Sequence, residues 1–91
     1  MKIQRITWDQ ETADHIAKHA VSPEEVEQVL FNEYDAPVIM RGRENKYLTY
    51  GKTDSGRLLF VVWTTTYKKT RVVTAREMTH KEKQFYRKRK K

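Results

Sequence analysis

Leu58-Leu59-Phe60-Val61-Val62-Trp63 is the longest unbroken apolar run in the chain, and its reading decides the fold. A half-exposed strand alternates apolar and polar residues, so an unbroken run predicts a central strand covered on both faces. Strand-like runs flank it: Pro37 to Met40, Lys46 to Lys52, Arg57 to Tyr67 and Thr70 to Ala75, with the turn Asp54-Ser55-Gly56 between the second and third. Three of these four lie close enough together for a meander.

Before these runs the character is helical. Lys2 to Thr7 reads as a short first strand, and Asp9 is a good N-cap for a helix from Gln10 to about His19. Ala13, Ile16, Ala17 and Ala20 give that helix one narrow face. Ser22-Pro23-Glu24-Glu25 then combines a capping serine, a proline at the first helical position and a capping-box glutamate, with Val21 placed to staple onto Val26. This second helix is expected to run to about Phe31, and the pair to cover one face of the sheet.

Thr79-His80-Lys81-Glu82 repeats the capping-box pattern and predicts a last helix anchored by Phe85, with Tyr86 beside it. The run Arg87 to Lys91 is a basic tail expected to fray. The expected architecture is a single α+β domain over residues 1–91, in the order βααββββα. It has a twisted antiparallel sheet, two N-terminal helices on one face and a basic C-terminal helix.

The chain has 91 residues, 37% apolar and 34% charged, which suits one modest core under an ionised surface. It has no cysteine, so disulfides, thiolate metal sites and a cysteine nucleophile are excluded. With no long apolar segment near the N-terminus, the expectation is a cytoplasmic protein with no membrane partner. The net charge of +7 is uneven: residues 1–35 hold three basic and eight acidic groups, a net of −5, while residues 36–91 hold sixteen and four, a net of +12. Such a field concentrates polyanions without reading sequence or supplying catalysis.

The second half interleaves Lys52, Arg57, Lys68, Lys69, Arg71, Arg76, Arg87 and Lys88 with Tyr47, Tyr50, Tyr67 and Tyr86. Cations hold phosphates and aromatic rings stack unpaired bases, so the mix suits RNA. A solubilising basic surface with tyrosines at the core edge fits the same composition. His15 and His19 are four apart on the first helix, but no carboxylate pattern completes a metal site with them. Lys18-His19 reads either as cations favouring a helix C-terminus or as an acid/base pair. Glu82 is explained by its capping box, and Glu77 by pairing with an arginine. The basic half has only four acids and no DxD-type arrangement, so two-metal nuclease chemistry is not expected, nor is any cofactor. Gly-rich phosphate loops and nucleophile elbows are absent.

Several short motifs occur in a telling order: Thr7-Trp8-Asp9, Lys18-His19-Ala20-Val21-Ser22, Gly51-Lys52-Thr53-Asp54, Arg71-Val72-Val73-Thr74-Ala75-Arg76, then Thr79, Glu82 and Tyr86. Together they resemble the BrnT toxin family, whose members share the RelE-like ribonuclease fold. The chain departs from the family pattern at Ala20, where glycine is usual, at Lys52, where arginine is common, and at Thr74, where serine is common. Lysine at position 52 keeps the charge but loses the bidentate fork, which shifts part of that duty to Arg57 or Arg76.

The resemblance implies an RNA-cleaving toxin that arrests translation. It also implies a ribbon-helix-helix, BrnA-like antitoxin that blocks the toxin and represses their operon with it, so that operator DNA is met only through the complex. RNA carries its own nucleophile, so a metal-free site need only deprotonate the 2′-hydroxyl, stabilise the phosphorane and protonate the leaving 5′-oxygen. On this reading Arg76 and Lys52 meet the developing charge, Tyr86 orients substrate or transfers a proton, and Lys18-His19 form the acid/base pair. Arg57, Tyr67, Lys68, Lys69, Arg71, Arg87 and Lys88 bind the nucleic acid. Two alternatives are a non-catalytic nucleic-acid module acting as co-repressor, and a domain whose basic face matches an acidic protein partner.

Overall fold

The computed structural model describes residues 5–66 and 69–90. Its elements follow in the order β1 (Ile6–Thr7), α1 (Gln10–Ala17), α2 (Pro23–Leu30), β2 (Val38–Arg41), β3 (Lys46–Lys52), β4 (Leu58–Thr66), β5 (Lys69–Glu77) and α3 (His80–Arg89). Of the expected first strand, residues 2–4 lie outside the described residues.

The caps form where the sequence places them. Asp9 accepts the Thr12 N–H at 2.7 Å, and Ser22 with Glu25 and Thr79 with Glu82 close complete capping boxes. Helix α1 ends in a six-to-one turn: the Val21 N–H reaches the Ile16 carbonyl at 3.1 Å and the Ala20 N–H that of Ala17 at 3.0 Å. This closure puts Ala20 in the left-handed region, at φ 59°.

The sheet has the order β1-β5-β4-β3-β2. All four strands β2 to β5 form one antiparallel meander, each pairing with the next in the chain. At the β2–β3 turn, Glu44 and Asn45 both take positive φ, as a type I′ turn requires. The sheet is nevertheless mixed, which corrects the wholly antiparallel expectation: β1 pairs parallel with β5 through Ile6↔Thr70 and Thr7↔Arg71. Helices and three strands separate β1 from β5 in the chain, so no hairpin sets their relative direction.

Helices α1 and α2 pack on one face of the sheet. Ile16, Val26 and Val29 are fully buried there against Leu59, Val61 and Trp63. Trp63 donates to the Thr49 hydroxyl at 2.6 Å and stacks on Tyr47 with centroids 4.5 Å apart. Gly51 lets α2 approach β3 closely, since a Cβ there would lie 2.7 Å from a Val29 methyl. The alternate residues of β4, Leu58, Phe60 and Val62, are only half-buried, because α3 covers part of the second face. The central strand is thus sealed on one side and partly open on the other.

Residues 87–90 of the expected basic tail form the end of α3. Helix α3 continues through Arg89, the Lys90 N–H bonds the Tyr86 carbonyl, and the Lys90 ammonium reaches Asp35 at 2.8 Å and the Ala36 carbonyl at 2.6 Å.

Candidate active site

The partly open sheet face carries a row set by strand register: Val38 on β2 opposite Tyr50 on β3, then Phe60 on β4, then Arg76 on β5. Arg76 lies over the Phe60 ring, 4.6 Å from its centroid. Its fork is gripped by Glu82, with Nη1 to Oε1 at 2.7 Å and Nη2 to Oε2 at 3.0 Å. Only Met78 and Thr79 separate β5 from α3, so the first turn of the helix is held beside the end of the strand. The capping box then fixes the carboxylate, because Oε1 also accepts the Thr79 N–H at 2.8 Å.

One turn further along α3, the Phe85 ring meets Tyr50 at 5.0 Å, and Tyr50 meets Phe60 at 5.1 Å. Arg89 lies over Phe85 at 5.7 Å. The electrostatics follow from this crowding. Arg76, against the pull of burial, holds the Glu82 carboxyl below the usual carboxylate range, with the Thr79 N–H adding to its effect. Glu82 in turn raises Arg76. Burial, then the nearby Glu82 charge, pushes the Tyr50 phenol up. At neutral pH the cluster therefore holds an anionic carboxylate, a cationic fork and a neutral phenol.

Lys52 follows Tyr50 by two residues on β3 and so shares its face. Its ammonium lies 3.7 Å from Asp35, which also binds Lys90. Tyr86 is 4% exposed. Its hydroxyl is buried and makes no hydrogen bond among the described residues. Burial foremost, then the charge of Asp35, pushes that phenol up.

The remaining expected site residues are dispersed. Arg57 is a tie between elements: its Nη1 donates to Glu25 at 2.7 Å and to the Ala20 carbonyl at 2.9 Å, and its Nε lies 3.5 Å from Glu77. This supplies the arginine partner expected for Glu77. Lys18 and Arg71 line an open cleft of about 750 Å³ between α1 and β5, where Arg71 pairs with Asp9 at 3.3 Å. His19 meets His15 edge to face at 5.5 Å, and His15 Nε2 is 3.1 Å from the Thr74 hydroxyl. No hydrogen bond, ion pair or ring contact among the described residues joins Lys18 or His19 to Arg76, Lys52 or Tyr86. Lys69, Arg87 and Lys88 are exposed. Tyr67 and Lys68 lie outside the described residues.

Sequence reasoning read Glu82 only as the capping-box partner it is, without its pairing to Arg76, and left Asp35 unconsidered. The two-residue link between Arg76-Glu77 and the capping box was the available signal for Glu82. Asp35 has no local signal, since its partners are distant in the chain. Among the described residues no three histidine, aspartate or glutamate side chains gather as a metal site. No helix among them is long and apolar enough to cross a membrane.

A small α+β domain that sets an arginine–carboxylate fork among aromatic rings, on the basic half of a polarised chain, has the charge that concentrates polyanions. Residues 8–82 match the family model described as "Ribonuclease toxin, BrnT, of type II toxin-antitoxin system". The match covers most of the chain, and the protein belongs to this family of ribonuclease toxins, which act as partners of an antitoxin. Comparison with curated proteins gives no match.

Proposed function

We propose that this toxin is an endoribonuclease that cleaves mRNA without a metal ion, through the cluster of Arg76, Glu82 and Tyr50 with Lys52 beside it. The observation that carries this reading is the Arg76 fork, held by Glu82 over Phe60 in the same cross-strand row as Tyr50. A guanidinium in that setting offers two parallel donors to a phosphate, and Phe60, Tyr50 and Phe85 offer ring faces to unpaired bases.

The chemistry needs no further group. As Arg76 turns to the scissile phosphate, Glu82 loses its charge partner and becomes a stronger base. It accepts the 2′-hydroxyl proton as the 2′-oxygen attacks phosphorus. Arg76 and Lys52 stabilise the crowded phosphorane, the bond from phosphorus to the 5′-oxygen breaks, and the neutral Tyr50 phenol protonates the departing oxygen. The products are a 2′,3′-cyclic phosphate and a 5′-hydroxyl end. Lys18 and His19, first assigned proton transfer, stand at the end of α1 rather than on the strands and α3 that carry this cluster, and are better suited to contacts with flanking RNA. Lys69, Arg71, Arg87 and Lys88 extend the binding surface.

On this reading the domain is RelE-like and acts in the cytoplasm, where its cleavage of mRNA arrests translation. A ribbon-helix-helix antitoxin covers the same basic face with acidic or aromatic groups, and the pair binds operator DNA together. The test is incubation of the purified chain with RNA in EDTA, beside Arg76→Ala and Glu82→Gln. EDTA-resistant cleavage with cyclic phosphate ends, lost in both variants, is the expected result. Cleavage abolished by EDTA, or retained by folded Arg76→Ala, refutes the assignment.

A further inference from the structure

We propose that Asp35 is a positioning residue of the ribonuclease site, holding the Lys52 ammonium in one place while its other oxygen holds the end of α3. The inference rests on the proposed role of Lys52 as a phosphate contact. Asp35 lies in the connection between α2 and β2, far from Arg76 in the chain. Its Oδ1 is 2.8 Å from the Lys90 ammonium and its Oδ2 3.7 Å from that of Lys52.

The loop that carries Asp35 is itself preorganised. Asn32 Oδ1 accepts the N–H groups of both Tyr34, at 3.0 Å, and Asp35, at 2.8 Å, closing a local turn that aims the aspartate. Lys90, in addition to its bond to Asp35, donates to the Ala36 carbonyl at 2.6 Å. The Lys90 bond, opposed by burial and supported by both lysine charges, keeps the Asp35 carboxyl below its ordinary range, so it is charged at neutral pH.

A lysine is a compact charge on a flexible stem, and where arginine would have a rigid fork, lysine needs an external hold to lie in one place. Asp35 supplies that hold. Lys52 stays almost half exposed, at 45% of its side chain, so it remains open to RNA while paired. The pairing leaves affinity nearly unchanged, because the charge is present with or without its guide. What it improves is the alignment of that charge with the phosphate as the phosphorane forms.

The test is a double-mutant cycle of Asp35→Asn and Lys52→Ala, with kcat and KM for RNA cleavage measured separately and melting temperatures taken beside them. Asp35→Asn is expected to lower kcat about tenfold with KM unchanged or lower, and to have no further effect in the Lys52→Ala background. Additive losses, or a rise in KM alone, overturn the proposal. If Lys52→Ala leaves cleavage untouched, the site reading itself fails, a result distinct from additivity. Lys90→Met separates orientation from docking, because it releases α3 and leaves the Asp35–Lys52 pair. Near-normal kcat in Lys90→Met supports the proposal, and a loss equal to that of Asp35→Asn overturns it.

Discussion

Glu82 Oε1 accepts from the Arg76 guanidinium at 2.7 Å and from the Thr79 N–H at 2.8 Å, so the same carboxylate caps α3 and aims the arginine. Replacing Arg76 by alanine removes the two donors proposed to face the phosphorane. It is expected to lower kcat about 10²- to 10³-fold with a smaller change in KM, in single-turnover cleavage assays. A loss confined to KM would assign Arg76 to ground-state binding.

The same carboxylate links stability to pH. Its pKa is depressed in the folded state from an ordinary 4.5, so its contribution is present above that value and lost as pH falls through the folded pKa. Acid titration followed by circular dichroism is expected to show a stability loss beginning below about pH 5. In Glu82→Gln that loss is smaller, and at pH 7 the variant is less stable by about 1–3 kcal/mol. An identical acid profile in Glu82→Gln would place the titrating group elsewhere.

Arg57 separates fold from affinity. It ties Glu25, Glu77 and the Ala20 carbonyl, and its side chain is 28% exposed. Arg57→Ala is expected to cost about 1–3 kcal/mol in urea unfolding, since it leaves a half-buried carboxylate without its partner. The salt dependence of RNA binding should stay as in the parent, whereas Arg87→Ala should lower its slope by about 0.7–0.9. A slope reduced in Arg57→Ala would return that residue to the RNA interface.

These contrasts mark what the sequence could carry. Capping boxes are local codes, so the starts of α2 and α3 at Ser22 and Thr79 were readable residue by residue, and hairpin spacing gave the strands of the meander. The parallel pairing of Ile6 with Thr70 was not readable, because no local turn sets the direction of strands joined through other elements. The run Leu58 to Trp63 indicated a central strand but overstated its cover, since α3 shields only the Tyr50–Phe60 side of the second face. Composition correctly placed the cations in the second half. It could not tell that Arg57 is spent on internal partners while Arg76 meets aromatic rings, because that division depends on Glu25, Glu77 and Glu82 arriving from different elements.

Tyr86 tests whether a buried phenol belongs to the chemistry. Its hydroxyl is enclosed and has no hydrogen bond among the described residues, so Tyr86→Phe removes a polar atom left unsatisfied there and keeps the ring. The expected outcome is a stability unchanged or higher by up to about 1 kcal/mol, with kcat within about twofold of the parent. A large fall in kcat with the melting temperature preserved would show that the hydroxyl reaches the reaction.

Ala20 bears a backbone cost that glycine would avoid. At φ 59° its Cβ crowds the neighbouring carbonyl, a strain of about 1–2 kcal/mol for a non-glycine residue. Glycine removes that strain but gains unfolded-state entropy worth about 0.5–1 kcal/mol, so the two terms partly cancel. Ala20→Gly is therefore expected to stabilise the fold by about 0.5–1 kcal/mol, a rise in melting temperature of roughly 2–8 °C. The gain should persist in Arg57→Ala, because the strain lies in the torsion and not in the bond that Arg57 makes to the Ala20 carbonyl. A lower melting temperature in Ala20→Gly would mean that the methyl group contributes packing beyond the strain it causes.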